Sequence, residues 1–513
     1  MAAVAIHGQA QTDALAMKYS SYIDTISAYK HLSTLASDEF EGRETGTRGA
    51  EMAANYIAAE FKRLGLAAPV NNSYFQKVEL EERSINFSKF TVNARPLVYL
   101  QDFYAGSVTQ SAAVNATEIV YIGYGISDAR YNDLKGIDIK GKVVMLMKYG
   151  EPNANGIFKI TGTKDNSEWS KVLTKRLEWI KSKKPALILA INERLASYLQ
   201  TNKEHGNEAI MDIRKNNGTE KEVPVIQLTT AAADVFLKTA AKSFTGLKQS
   251  IDKTGKPASQ IIKAKFSTAF SVKSEGINAV NVLGYLEGTD LKDELLVLSA
   301  HYDHIGLNPN GTDKVYNGAD DDGSGTTAVI ELAEAFTQAK KEGRGPRRSI
   351  LFLSVVGEEK GLFGSEWYSD HPVFPLAKTV ADLNIDMIGR IDPSHKGKED
   401  YCYLIGSDKL SSDLHKISEN ANSTYTHLNI DYKYNDPNDP ERIYYRSDHY
   451  NFAKHNIPII FYFNGVHEDY HQPGDEVWKI NFPLLVKRAN LVFYTAWDLV
   501  NRDRRPVVDS KKD

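Results

Sequence analysis

Five short stretches after residue 290 carry side chains able to bind a cation or move a proton. They are His301-Tyr302-Asp303-His304, Asp320-Asp321-Asp322, Glu358-Glu359, Asp386 and Asp469-Tyr470-His471. Three adjacent carboxylates at 320–322 repel one another in a folded loop unless a cation neutralises them. Gly318, Gly323 and Gly325 around them let the backbone come close to whatever is bound. A set mixing imidazole with carboxylate suits zinc. One histidine from each of the 301 and 471 stretches and one carboxylate from each of 320–322, 358–359 and 386 make two histidines and three carboxylates. These exceed what one catalytic zinc with an open position accepts and suit two cations sharing a carboxylate. In Glu358-Glu359 the neighbouring side chains point different ways, so one can be a ligand and the other a base beside the attacking water. The twelve-residue calcium pattern with its terminal Glu is missing.

These stretches share one placement. The apolar runs 295–299, 350–356, 380–385 and 457–463 read as buried strands, and each is followed by chemistry. His301 follows the first, Glu358 and Glu359 the second, Asp386 the third, and His467 to His471 the fourth. In open α/β sheets, sites form beyond the carboxyl ends of strands. The loop 318–325 precedes a helix over 326–339. Upstream, 51–66 has helical spacing with Gly65 as a stop, whereas 85–275 carries short strand-like runs between Gly, Asn and Lys turns. The reading is an α/β fold: a mixed, mostly parallel sheet flanked by helices, with a β-rich inserted domain. The core would be split into 18–84 and 276–505 around an insertion over 85–275, with loose termini at 1–17 and 506–513.

Composition removes whole classes. Of 513 residues, 42% are hydrophobic and 25% charged, so the chain has material for a core and is not a disordered polymer. Lys plus Arg number 62 against 66 Asp plus Glu, which gives no basic excess for nucleic acid. Cys402 is the sole cysteine, which excludes an intrachain disulfide and a cysteine zinc ribbon. No apolar run reaches 18 residues, so no membrane span is expected. Residues 2–6 are apolar and could be the remnant of an export signal, the one pointer to a secreted or periplasmic setting. Ser324 in Asp-Gly-Ser-Gly is not a nucleophile elbow, and Gly123-Tyr124-Gly125 is too short for a dinucleotide loop.

At Ser299–Asp303, Gly318–Gly325, Gly357–Gly364, Asn384–Gly389 and Asp469–His471, the sequence resembles the co-catalytic zinc aminopeptidase and glutamate carboxypeptidase family. The order and character of all five agree. Residues 38–49 resemble that family's opening segment, and 119–125 with 131–146 resemble the protease-associated domain that many members carry as an insertion. The resemblance implies a zinc exopeptidase acting on peptide substrates, with two zinc ions bridged by Asp321 and by a water. His301 and Asp386 would complete one site, Glu359 and His471 the other. Asp303 would orient His301, Glu358 would be the general base, and Tyr470 would steady the tetrahedral intermediate. Asp322 would be structural, and His304, His449 and His467 would have no ligand role.

The crowding of acidic groups suits a substrate's α-amine and favours an aminopeptidase. Arg442 and Arg446 would be the substrate-binding residues of the carboxypeptidase alternative, since a guanidinium fork matches a terminal carboxylate. Two further classes share the resemblance: a glutaminyl cyclase-like acyltransferase, and a receptor-type binding protein that has lost ligands. All five ligand positions are filled here.

Overall fold

The computed structural model describes residues 12–201, 209–214 and 222–510. The apolar stretch at 2–6 lies outside them. The described residues divide into two compact units, one within Met1–Leu80 and Ile277–Asp513, the other within Glu81–Gly276.

The first unit is built on strands whose apolar runs are covered on both faces, as a sheet between helix layers requires. Seven strands carry it: β1 (the C-terminal part of Gln260–Leu286), β2 (Leu291–His301), β3 (Arg348–Val355), β4 (Thr379–Ile385), β5 (Tyr401–Ile405), β6 (Asn429–Asp431) and β7 (Ile459–Phe463). Their order is β6-β5-β7-β4-β2-β3-β1. The central four, β7, β4, β2 and β3, run parallel, while β1 and β5 pair antiparallel to their inner neighbours. Every residue of β3, β4, β5 and β7 is buried. The carboxyl ends of four adjacent parallel strands therefore open on one edge.

Helix α1 (Thr25–Leu35) is capped by Asp24. Helix α2 (Arg48–Leu64) buries Ala50, Ala53, Ala54, Ile57, Ala58, Phe61 and Leu64, a single apolar stripe, and ends where Gly65 takes φ 84°. Helix α3 (Gly325–Lys341) follows the acidic loop, and α4 (Phe482–Asn501) closes the unit. Arg488 of α4 is fully buried and donates to the carbonyls of Ile388, Arg390 and Tyr401, fixing the turn after β4.

The residues after α4 are tied down as far as they are described. Arg505 donates to the carbonyls of Ala377 and Thr379, and Asp509 accepts from Ser412. Of the stretch 506–513 that reads as loose in sequence, Asp509 accepts from the Ser412 amide and the Val507 amide donates to Asp413, while 511–513 lie outside the described residues.

The second unit has parallel pairing among Ala112–Tyr121, Val143–Met147, Leu187–Ile191 and Val225–Leu228, with the N-terminal part of Gln260–Leu286 antiparallel to the first. Its strands are interleaved with helices Leu173–Ser182, Thr230–Leu237 and Phe244–Thr254. The sequence pattern read as strand-rich. These helices are short and sit among Lys, Asn and Gly, where helical periodicity has little length in which to show. No described helix is long and apolar enough to cross a membrane.

Candidate metal centre

The strand edge brings the sequence's candidates together. His301 is the last residue of β2, Glu358 and Glu359 follow β3 after Gly357 at φ 78°, and Asp386 follows β4. His471, with φ 55°, is delivered by the turn after β7. Asp321 comes from the loop between Gly318 and α3, at the centre of the set.

His301 Nε2 lies 3.3 Å from Asp321 Oδ1, 3.7 Å from Asp386 Oδ1 and 3.9 Å from Glu358 Oε2. On the other side, His471 Nε2 lies 3.2 Å from Asp321 Oδ2 and 3.0 Å from Glu359 Oε2. The two oxygens of Asp321 thus face two different imidazoles. His301 Nε2, His471 Nε2, Asp321 Oδ2 and Glu359 Oε1 are buried without a hydrogen-bond partner, although neighbouring atoms lie close. Polar atoms that crowd without bonding one another are aimed at a common point, which fits a cation on each side of Asp321.

The carboxylates of the set draw positive charge to this point. Burial would raise the Asp321 carboxyl, but the imidazoles of His301, His471 and His304 override it and hold it well below the carboxylate range. Burial, with Glu359 and Asp386 alongside, pushes Glu358 well above that range, opposed by His301. Burial lowers His471, yet Asp321 and Glu359 outweigh it and bring the imidazole up to about 10.

The surroundings fix each donor. Ser447 donates to Asp386 Oδ2 at 2.7 Å, leaving Oδ1 toward His301. Asp322 turns away and accepts the amides of His301, Gly325 and Met387, which makes it a structural clamp. Asp303 differs from the sequence expectation. The ring Nδ1 of His301 lies 3.1 Å from the Asp303 carbonyl oxygen, whereas the nearer carboxylate oxygen is 3.7 Å away. That carboxylate instead accepts from Thr45 Oγ1 at 2.7 Å and from the Glu358 amide at 3.2 Å, bracing the Glu358 backbone.

A small cavity opens beside the donors, lined by Asp321, Glu358, Asp386, Arg446 and Tyr470, with an apolar wall of Met387, Ile443, Phe461, Phe463 and Val466. Arg446 Nη2 donates to the Tyr470 hydroxyl at 3.2 Å. Arg442 lies over the Tyr445 ring and is not among the cavity residues. His449 bonds the Tyr444 carbonyl, and burial lowers it to about 3, so it is a neutral core histidine. His467 Nε2 is 3.3 Å from Asp320 Oδ2. His304 lies in the Glu359 cluster.

Sequence reasoning missed two supports. Arg43, fully buried, donates to the carbonyls of Leu35, Tyr302, Asn317 and Gly318, holding the His301 and Asp321 loops to one guanidinium. Asp475 holds the acidic loop by its amides. Neither has a local sequence signal, since all their partners but Leu35 are far away in the chain.

Residues 281–496 match the model of peptidase family M28. The chain is 27% identical over 315 residues to a glutamate carboxypeptidase 2 homolog of Caenorhabditis elegans, covering 56% of this chain and 38% of that protein. It is 30% identical over 215 residues to a probable leucine aminopeptidase of Trichophyton verrucosum, covering 40% of this chain and 54% of that protein. The chain thus spans less than two thirds of the length of these relatives. Its fold is like that of an aminopeptidase from Aneurinibacillus sp. strain AM-1, with TM-score 0.52 and 17% identity over 96% of this chain and 98% of that one.

Proposed function

From the match of residues 281–496 to the model of peptidase family M28, we propose that this chain is a dinuclear zinc exopeptidase that releases residues from the N-terminus of peptides. The observation that carries the reading is Asp321, whose two oxygens face His301 with Asp386 on one side and His471 with Glu359 on the other. Those five residues would hold two zinc ions. When bound, zinc supplies a Lewis acid for the scissile carbonyl and makes water a better acid.

The chain's own groups do the rest. Glu358 Oε2, beside both His301 and the cavity, takes a proton from the attacking water and returns it to the leaving amine. Tyr470, its hydroxyl oriented by Arg446, donates to the oxygen that gains charge as the carbonyl becomes tetrahedral. The wall of Met387, Ile443, Phe461, Phe463 and Val466 favours an apolar side chain next to the cleaved bond. Glu358 and Asp386 crowd the same cavity and suit a free α-amine.

A carboxypeptidase is the second reading, favoured by one observation: Arg446 lines the cavity and can pair with a terminal carboxylate. Peptides blocked at either end separate the two. N-acetylation abolishes cleavage by an aminopeptidase while C-amidation changes little, and the reverse pattern assigns the carboxypeptidase. Cyclisation of an N-terminal Gln peptide without hydrolysis would replace both with an acyltransferase.

A further inference from the structure

We infer that His304 is an additional ligand to the cation beside Glu359, so that this position is served by two imidazoles, those of His304 and His471. The inference rests on the dinuclear reading above. His304 is fully buried. Its backbone is anchored, the amide donating to the Arg43 carbonyl at 3.2 Å, and its ring lies against Gly318, where a Cβ would come within 2.5 Å of the imidazole carbons. The space for the ring is therefore made by a glycine in the same loop that presents Asp321.

The ring's Nδ1 is 2.9 Å from Glu359 Oε1 and 3.8 Å from Asp321 Oδ2. Nδ1 stands within ion-pair distance of Glu359 Oε1, yet both atoms are buried without a hydrogen bond that closes between them. A buried imidazole left in that state is costly unless its lone pair has another target. His471 stands on the opposite oxygen, with Nε2 3.0 Å from Glu359 Oε2, and the two rings are 6.0 Å apart at 73°. Glu359 is thus flanked by one imidazole per oxygen, and Asp321 Oδ2 lies within reach of both. The other side of Asp321 has no such second imidazole among the described residues: His301 stands there with Asp386 and Glu358. The two positions then differ in donor set, the second being richer in nitrogen and favouring a softer cation.

The discriminating variants are His304→Ala and His304→Asn. Asparagine keeps a donor able to hydrogen-bond Glu359 but does not replace an imidazole ligand. Zinc affinity is measured for each of the two sites by competition with a chromophoric chelator, and the visible absorption of the Co²⁺-loaded protein reports the ligand set. Circular dichroism of the metal-free variants checks folding, and Asn serves where Ala does not fold. In both variants one site should weaken by more than the ~10–100-fold typical of losing an outer partner, with the other site unchanged. The Co²⁺ bands of the weakened site should also shift.

If Asn keeps wild-type affinity and spectrum, His304 only positions Glu359 and the inference is overturned. The same holds if both variants bind two ions as tightly as the parent. A parent protein that takes up a single ion removes the dinuclear reading, and this inference with it. Two ions in the parent with silent variants removes this inference alone.

Discussion

Asp475 accepts the backbone amides of Asp320 and Asp321 with one carboxylate, its Oδ2 lying 2.9 Å from the first nitrogen and 3.0 Å from the second. In the proposed dinuclear centre Asp321 offers an oxygen to each side, and a carboxylate placed that way tolerates little rotation of its own backbone. Asp475 holds that backbone while contributing no donor to the centre. Asp475→Ala should therefore lower cation affinity at both positions by ~10-fold or more, in the range usual for outer partners. Zinc titration of the refolded variant checks it. A loss confined to one position would show that Asp475 does not act through Asp321.

Glu358→Gln keeps the side chain's shape and removes its proton acceptor. Zinc content should stay at the parent level while turnover falls by ~10²–10⁴. Glu359→Gln should instead lower zinc content first, because Glu359 faces His304 and His471. Elemental analysis and turnover measured on the same preparations separate the adjacent glutamates. Near-parental turnover in Glu358→Gln would place the base elsewhere.

Much of this centre is legible in sequence because every donor but Asp321 follows an apolar run long enough to be read as a buried strand, as 295–299 before His301 and 380–385 before Asp386 show, while Asp321 stands out by its run of three carboxylates between glycines. The parallel order of β3, β2, β4 and β7 then places the donors side by side. What sequence cannot show is orientation after the strand ends. His304 and His467 look alike as loop histidines, yet one faces Glu359 and the other Asp320. Asp303 sits two residues beyond His301 but turns its carboxylate to Thr45, a partner with no periodic relation to it. Arg43 and Asp475 act on backbone groups of distant segments, and backbone partners leave no mark on residue type. In the second unit, helices such as Thr230–Leu237 are too short for their periodicity to stand out from the strand-like runs around them.

Arg446 separates orientation from binding. If it serves by orienting Tyr470, Arg446→Ala lowers kcat by ~10-fold with KM changed less, and Tyr470→Phe gives a similar loss that does not add to the first. If it binds a terminal carboxylate, the loss falls on KM and disappears with C-amidated peptides. Steady-state kinetics of the two single variants and the double variant decide between these. A purely additive double variant would dissolve the proposed link between guanidinium and hydroxyl.

Glu331 carries the last expectation, away from the centre. It lies in α3 and is 1% exposed. Oε2 accepts the Asp24 amide at 3.3 Å, and Oε1 has no hydrogen-bond partner, with His31 Nε2 3.8 Å away. Burial raises its carboxyl from 4.5 to about 7, against the hydrogen bonds from Ser27 and Asp24, and burial also lowers His31. An acid raised by folding favours the folded state when protonated. Its contribution is complete below the unfolded value near 4.5 and is lost as pH rises through about 7. At 1.36 kcal/mol per unit, the loss by pH 8 is about 3 kcal/mol. Glutamine resembles the protonated acid and keeps an oxygen for the Asp24 amide, so Glu331→Gln should not share the loss. Denaturant unfolding should find the variant more stable than the parent at pH 8, with the difference shrinking toward pH 5. A parent that is the more stable at pH 8 would mean that ionised Glu331 is held by a protonated His31, and that burial is not the dominant influence on the pair.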